Sequence, residues 1–215
     1  MQHKIIYIYD ALCGWCYGFS SVMQQLHEKY AGQLEFEVLS GGMIMGLRAG
    51  IIGEVAPYIK KAYPAVEKGT GIKFGEPFLQ NILEPGMAIF SSEMPGIALT
   101  IFRKHLPDQV LSFAHTLQNA LYRDGIELSI LENYRPLVEK FGLSGDDFIR
   151  DLQTEENRYE TLMEFQTVAN WGVTGYPTVL LKPVHEAQYY MIAQGYTPLE
   201  RLDEVIEKVL PDLFT

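Results

Sequence analysis

Asp10-Ala11-Leu12-Cys13-Gly14-Trp15-Cys16-Tyr17 holds the only two cysteines of a 215-residue chain, three positions apart. Upstream, Lys4-Ile5-Ile6-Tyr7-Ile8-Tyr9 is a nearly continuous run of β-branched and aromatic residues, the pattern of a central strand buried on both faces of a sheet. Downstream, Phe19, Val22, Met23, Leu26 and Tyr30 recur at helical spacing as far as Gly32, which suits a helix C′ position. The sulfurs therefore stand at the turn from a strand into a helix predicted over Cys13–Ala31.

Leu34, Phe36 and Val38 alternate with Glu35 and Glu37, so a second strand follows, closed by Gly41-Gly42. Strand, helix and strand in one sheet imply a right-handed crossover and parallel pairing. From about Gly50 to Gly172 the period is helical throughout, with helices predicted near Glu54–Val66, Pro95–His105, Pro107–Gly125, Ser129–Phe141, Gly145–Leu152 and Glu155–Trp171. The β pattern returns at Pro177–Lys182 and Gln188–Ala193, read as an antiparallel hairpin with a five-residue loop. A last helix follows, with Thr197 as N-cap, Pro198 first in the helix and Glu200 completing a capping box. The expected architecture is a split α/β domain, residues 1–49 and 173–215, interrupted by an all-helical block, residues 50–172. No internal repeat appears.

The composition narrows the function. Hydrophobic residues make up 47%, enough for one sizeable core, and 17 basic against 27 acidic side chains leave a formal charge of −10. An acidic surface disfavours nucleic acid and anionic lipid as partners. No apolar run approaches the ~20 residues of a membrane helix. Met1-Gln2-His3-Lys4 leads straight into a strand with no signal-peptide pattern, and the expected location is cytoplasmic. Two cysteines make no disulfide framework at this size, so their spacing carries the information.

At a helix N-terminus the unpaired amides and the macrodipole favour a thiolate, which makes Cys13 the expected nucleophile. Cys16, one turn further on, is expected to lie behind it and to resolve a mixed disulfide formed at Cys13. Gly14 lets the turn tighten, and Trp15 offers a stacking surface without charge. Two plainer readings compete. Zinc needs two more ligands, and His3, His27, His105, His115 and His185 are scattered without ligand spacing. Inert core thiols are common singly, less so as a pair between a strand and a helix. Far downstream, Val173-Thr174-Gly175-Tyr176-Pro177-Thr178 places a proline at the first position of a strand, where it is tolerated; on its own this reads as an ordinary trans proline.

Together these residues resemble the thioredoxin superfamily, in its DsbA-like branch with a helical insertion. Cys13-Gly14-Trp15-Cys16 matches the redox motif, and Val173–Thr178 resembles the cis-proline loop. The run Asp10–Tyr17 is similar to the motif of a cytoplasmic DsbA-like subgroup related to polyketide-biosynthesis oxidoreductases and 2-hydroxychromene-2-carboxylate isomerases. The resemblance implies a thioredoxin-like fold, a mixed β-sheet flanked by helices with a large all-helical insertion. It also implies a cis Pro177 packed close to Cys13, and a Tyr176 whose backbone pairs with an extended substrate. Gly14 and Trp15 stand where many relatives carry proline or histidine, so the strongly oxidising character of periplasmic members does not transfer. Tyr176 is larger than the β-branched residue often found before this proline.

The expected activity is thiol–disulfide exchange on disulfide-containing proteins or small thiols, glutathione among them. Substrate contacts fall to Gly14, Trp15, Tyr176 and Pro177. The rival readings are a glutathione-dependent isomerase or transferase of the same fold, and a redox-sensing partner-binding module. Gly41-Gly42-Met43-Ile44-Met45-Gly46 lacks the spacing of a dinucleotide loop and the lysine of a P-loop, so no cofactor and no metal are expected. Met23, Met43, Met45, Met87, Met94 and Met163 are weaker candidates for an adaptable groove, Met43 and Met45 the better two. For Asp10 a turn-forming role outweighs proton transfer to Cys16. Glu35 and Glu37 read as the polar face of the second strand rather than a proton relay.

Overall fold

The computed structural model describes residues 2–211. The outermost residues of the expected split domain, Met1 and 212–215, lie outside that range. Strands β1 (His3–Tyr9), β2 (Leu34–Ser40), β5 (Thr178–Lys182) and β6 (Tyr190–Gln194) form one sheet in the order β2-β1-β5-β6. β1 pairs in parallel with β2, from His3 against Leu34 to Tyr9 against Ser40. It pairs antiparallel with β5, and β5 antiparallel with β6. The apolar run at the start of the chain is thus an interior strand, and Ile5 to Tyr9 are buried throughout.

Strand alternation divides those residues between two faces. Ile5, Tyr7 and Tyr9, with Val38, Val179 and Leu181, join the main core, to which α1 (Gly14–Lys29) contributes Phe19, Val22, Met23 and Leu26, and α8 (Leu199–Val209) contributes Leu202 and Ile206. Ile6, Ile8, Leu39 and Leu180 form a second cluster with Val173 and with Val168 of α7 (Glu155–Asn170). Between β2 and β5 run α2 (Ala56–Thr70), α3 (Glu93–His105), α4 (Val110–Tyr122), α5 (Arg135–Glu139), α6 (Gly145–Leu152) and α7. Among the described residues no helix is long and apolar enough to cross a membrane.

Side chains from this helical insertion seal the edge of the sheet. Arg103 of α3 donates to the carbonyl of Val38 at 2.7 Å, and Glu164 of α7 accepts from the amide of Ser40 at 2.8 Å. The two side chains also pair with each other. Burial pushes the Glu164 carboxyl up, and Arg103 is the main opposing influence. The outward backbone groups at the end of β2 are thereby taken by side chains rather than left for another strand.

Several expectations change against the structure. The insertion is not helical throughout: β3 (Gly50–Ile51) and β4 (Ile89–Phe90) form a two-stranded antiparallel ribbon, and Phe78–Leu83 is a π-helix. Two-residue strands are too short for an alternation pattern to register. The helix expected at Ser129–Phe141 is a 3₁₀ turn, Leu131–Tyr134, followed by the five-residue α5. The β5–β6 connection spans residues 183–189, seven rather than five. Thr197 does not cap α8. Its hydroxyl bonds back to the carbonyl of Gly195, and Pro198 stands at the N-cap with no side-chain bond. Met23 is fully buried in the core, not groove lining.

Helix α1 is held against α2 by a close approach at Gly18. A Cβ there would lie 2.6–2.9 Å from the side chain of Thr70, whose hydroxyl is tied to the Val66 carbonyl. Gly18→Ala should therefore cost about 1–3 kcal/mol of stability, the range for overpacking. Adding Thr70→Ala should recover at least part of that loss, a coupling that urea unfolding of the double-mutant cycle measures.

Candidate active site

Cys13 ends the turn after β1 and is the N-cap of α1, with φ −92° and ψ 111°. Its Sγ takes the place of the capping hydroxyl, accepting the amide of Cys16 at 3.2 Å. Across 163 residues, the same sulfur donates to the carbonyl of Tyr176 at 3.5 Å. Cys13 is 6% exposed and Cys16 0%. Burial, and then the neighbouring Cys13, push the Cys16 thiol well above its ordinary value, so it stays protonated at rest. One sulfur faces the rim while the other lies directly beneath.

Asp10 holds the turn that presents them. Its carboxylate accepts the amide of Leu12 at 2.9 Å and the amide of Met43 at 2.7 Å, and bonds the Ser92 hydroxyl. It is fully buried and behaves as a turn-forming residue that also fastens the glycine-rich segment to the cysteine turn. Two side chains of α4 complete the frame: Tyr122 donates to the carbonyl of Leu12 at 2.5 Å, and Gln118 to that of Asp10 at 3.5 Å. Glu35 and Glu37 lie elsewhere, both paired with Lys4 on the sheet surface.

The insertion covers the dipeptide between the cysteines. Phe74 and Val66 pack against Gly14, and the indole of Trp15 rests over Gly69 of α2, leaving Trp15 38% exposed. Behind them, Tyr17, Phe74, Phe78 and Tyr122 form an aromatic cluster of edge-to-face and tilted pairs with centroids 5.0–5.8 Å apart. This cluster fixes the first turn of α1 against α4.

The Tyr176–Pro177 bond is cis and Pro177 is buried. The Tyr176 hydroxyl donates to the carbonyl of Gly41 at 2.7 Å, and burial pushes its pKa up to about 12, so it remains a donor. A Cβ on Gly41 would sit 2.0 Å from the Tyr176 ring, so only glycine admits the ring here. Met43 and Met45 are half-buried in the same glycine-rich segment, whereas Met87 and Met163 are exposed. Arg48, in the next turn, is exposed, and its charge acts on both Asp10 and Tyr176. Among the described residues no group of three or more His, Cys, Asp or Glu side chains is placed to hold a metal.

Sequence reasoning brought Cys13, Cys16, Trp15, Tyr176 and Pro177 together but missed Tyr122, Gln118, Ser92 and Arg48. Tyr122 and Gln118 sit in an apolar helical pattern that reads only as core. Arg48 carried one weak signal, a lone cation after a glycine-rich run in an acidic chain.

Compared by sequence, the chain matches no family model and no curated protein. Solved structures do match. A candidate protein disulfide isomerase from Nitrosomonas europaea is 26% identical, with a TM-score of 0.85 over 99% of both chains. The cytosolic disulfide reductase DsbM from Pseudomonas aeruginosa, solved also with GSH, is 22% identical, with a TM-score of 0.79 over 97% of this chain and 98% of that one. A 2-hydroxychromene-2-carboxylate isomerase is 14% identical, with a TM-score of 0.63 over 98% and 95%. The fold is the DsbA-like thioredoxin fold that the motif residues resemble, and the structures similar to it include disulfide reductases, oxidoreductases and isomerases.

Burial outweighs the hydrogen bonds at Asp10 and raises its pKa above the ordinary 3.8. A raised folded-state pKa contributes stability that is complete below the unfolded value and is lost as pH rises through the folded one. Relative to Asp10→Asn, which does not titrate, the wild type should therefore lose stability as pH rises above about 4. Urea midpoints of the two proteins across that interval measure the difference, which would stay flat if Asp10 titrated as an exposed carboxylate does.

Proposed function

We propose that this chain, DsbA-like in fold, is a thiol–disulfide oxidoreductase that reduces disulfides of proteins or small thiols in the cytoplasm. The observation that carries the reading is the double engagement of Cys13 Sγ, capping α1 through the Cys16 amide while facing the Tyr176 carbonyl. Cys13, deprotonated, attacks a substrate sulfur and forms a mixed disulfide. Its bond to the Tyr176 carbonyl exists only while the thiol carries its proton, so that carbonyl is released at this step to pair with the substrate backbone. Cys16 then attacks Cys13 Sγ, the Cys13–Cys16 disulfide forms, and the second substrate thiol leaves.

Trp15, with Gly14, and the Tyr176–Pro177 loop are the proposed contacts for the partner. Reduction is the direction assigned, since neither residue between the cysteines adds a charge that would favour a thiolate. The disulfide reductase named among the neighbours agrees with it. Glutathione is the small thiol we assign, as that neighbour has been solved with GSH. Arg48 supports an anionic substrate: the other six arginines each pair with a carboxylate, and Arg48 has none among the described residues. A glutathione-dependent isomerase or transferase of this fold has no use for a second thiol buried under the first.

Cys16→Ser should accumulate a Cys13 mixed disulfide with glutathione, visible by mass spectrometry. Cys13→Ser should lower disulfide turnover by about a thousandfold or more. A Cys16→Ser protein that turned over at the wild-type rate would remove the resolving role. Equilibration in graded glutathione buffers should give a potential near roughly −270 mV; a value near roughly −120 mV would reverse the assigned direction.

A further inference from the structure

Tyr7 lies at the middle of β1, paired with Val38 on one side and Val179 on the other, and is 1% exposed. Its ring is held by Tyr9, with centroids 5.6 Å apart, and edge-on by Phe19 at 5.9 Å. Its hydroxyl is buried and, among the described residues, makes no hydrogen bond of normal geometry in the resting dithiol. A buried hydroxyl left unpaired is costly, and phenylalanine would fill the same space without that cost. The group it faces is Cys16. In the resting dithiol Cys16 is protonated and offers only a weak acceptor; as a thiolate it becomes a strong one.

Several other titratable groups bear on Cys16: Tyr9 from β1, Asp10 after it, Cys13 on the first turn of α1, Tyr122 from α4 and Tyr176 from the loop before β5. Tyr122 and Tyr176 are committed to the carbonyls of Leu12 and Gly41. The Asp10 backbone amide already donates to Cys16, while its carboxylate accepts two amides and, ionised, has no proton to donate. Burial and the two cysteines hold Tyr7 well above its ordinary pKa, so it keeps its proton and acts as a donor.

We propose that the Tyr7 hydroxyl is the side-chain hydrogen-bond donor that stabilises the Cys16 thiolate during resolution of the mixed disulfide. The proposal rests on the oxidoreductase reading above. For a substrate RS–SR′, Cys13 attack forms the Cys13–SR bond and expels R′S⁻. The proton leaving Cys16 neutralises R′S⁻, and the Cys16 thiolate, bonded to Tyr7 Oη–H, attacks Cys13 Sγ. The Cys13–Cys16 bond forms, RS⁻ departs to be protonated from solvent, and two electrons pass from the protein dithiol to the substrate. Tyr7 keeps its proton throughout.

The test separates the two steps in the full-length protein. With glutathione disulfide as substrate, Tyr7→Phe should leave the bimolecular attack by Cys13 unchanged. It should slow release of the second glutathione about tenfold and move the pH midpoint of that release up by about one unit. Replacing Tyr7 site-specifically with 3-fluorotyrosine, a more acidic donor of nearly the same shape, should speed release. A Tyr7→Phe protein whose release rate and pH midpoint match the wild type overturns the proposal, as does one in which attack and release slow equally. Cys16→Ser, run in parallel, separates the two levels of the argument: release at the wild-type rate in that variant removes the resolving cysteine itself, whatever Tyr7 does.

Discussion

A helix that begins on a sulfur atom places an unusual demand on its surroundings. The amide of Cys16 is satisfied by the atom proposed to do the chemistry, and the carbonyl of Tyr176 accepts a hydrogen bond from that same atom. The bond to the Tyr176 carbonyl is surrendered when Cys13 becomes part of a disulfide, so the frame around the turn has to keep its shape without it. That explains why so many backbone groups between Asp10 and Cys13 are fixed from elsewhere. The Leu12 amide is held by the Asp10 carboxylate, its carbonyl by Tyr122, and the Asp10 carbonyl by Gln118. Preorganisation of this kind spares a reactive group the cost of reordering its surroundings in mid-reaction.

The same economy shows in the segment that leaves β2. Val38, Ser40, Gly41 and Met43 each give a backbone group to a side chain from a different part of the chain: Arg103 of α3, Glu164 of α7, Tyr176 before β5 and Asp10 after β1. Two of these anchors are buried carboxylates, and burial raises the pKa of both. A desolvated carboxylate is tolerable only with several donors, and backbone amides supply them at fixed positions. The insertion is therefore more than a cover. It closes the sheet edge, lines the dipeptide through Phe74, Val66 and Gly69, and braces the first turn of α1.

The central strand, the first crossover and the cysteine pair were legible because each rests on local signals: a β-branched run, a helical period, a spacing of three. Tyr176 and Pro177 became meaningful only beside the cysteine motif, since a proline opening a strand is ordinary in isolation. What could not be read depends on contacts at long separation. Tyr7 falls in an apolar run and reads as core, and nothing local says that its hydroxyl meets a thiol. Tyr122 reaches Leu12 across 110 residues from a helix whose pattern is plainly apolar. At α8 the local capping signal misled: Thr197 turned back to Gly195, and the φ of proline alone was enough to set the helix entry.

The reach of 163 residues between Cys13 and Tyr176 also has a meaning in time. A ribosome adding about 5–20 residues per second delivers the Tyr176 loop roughly ten to thirty seconds after Cys13. Through that interval β1 and α1 have no β5 beside them, and the nascent chain carries a dithiol without the carbonyl that faces it in the finished protein. The newborn pair is open to any oxidant or thiol the compartment holds. The order of segments along the chain therefore decides when the cysteine pair acquires its full surroundings.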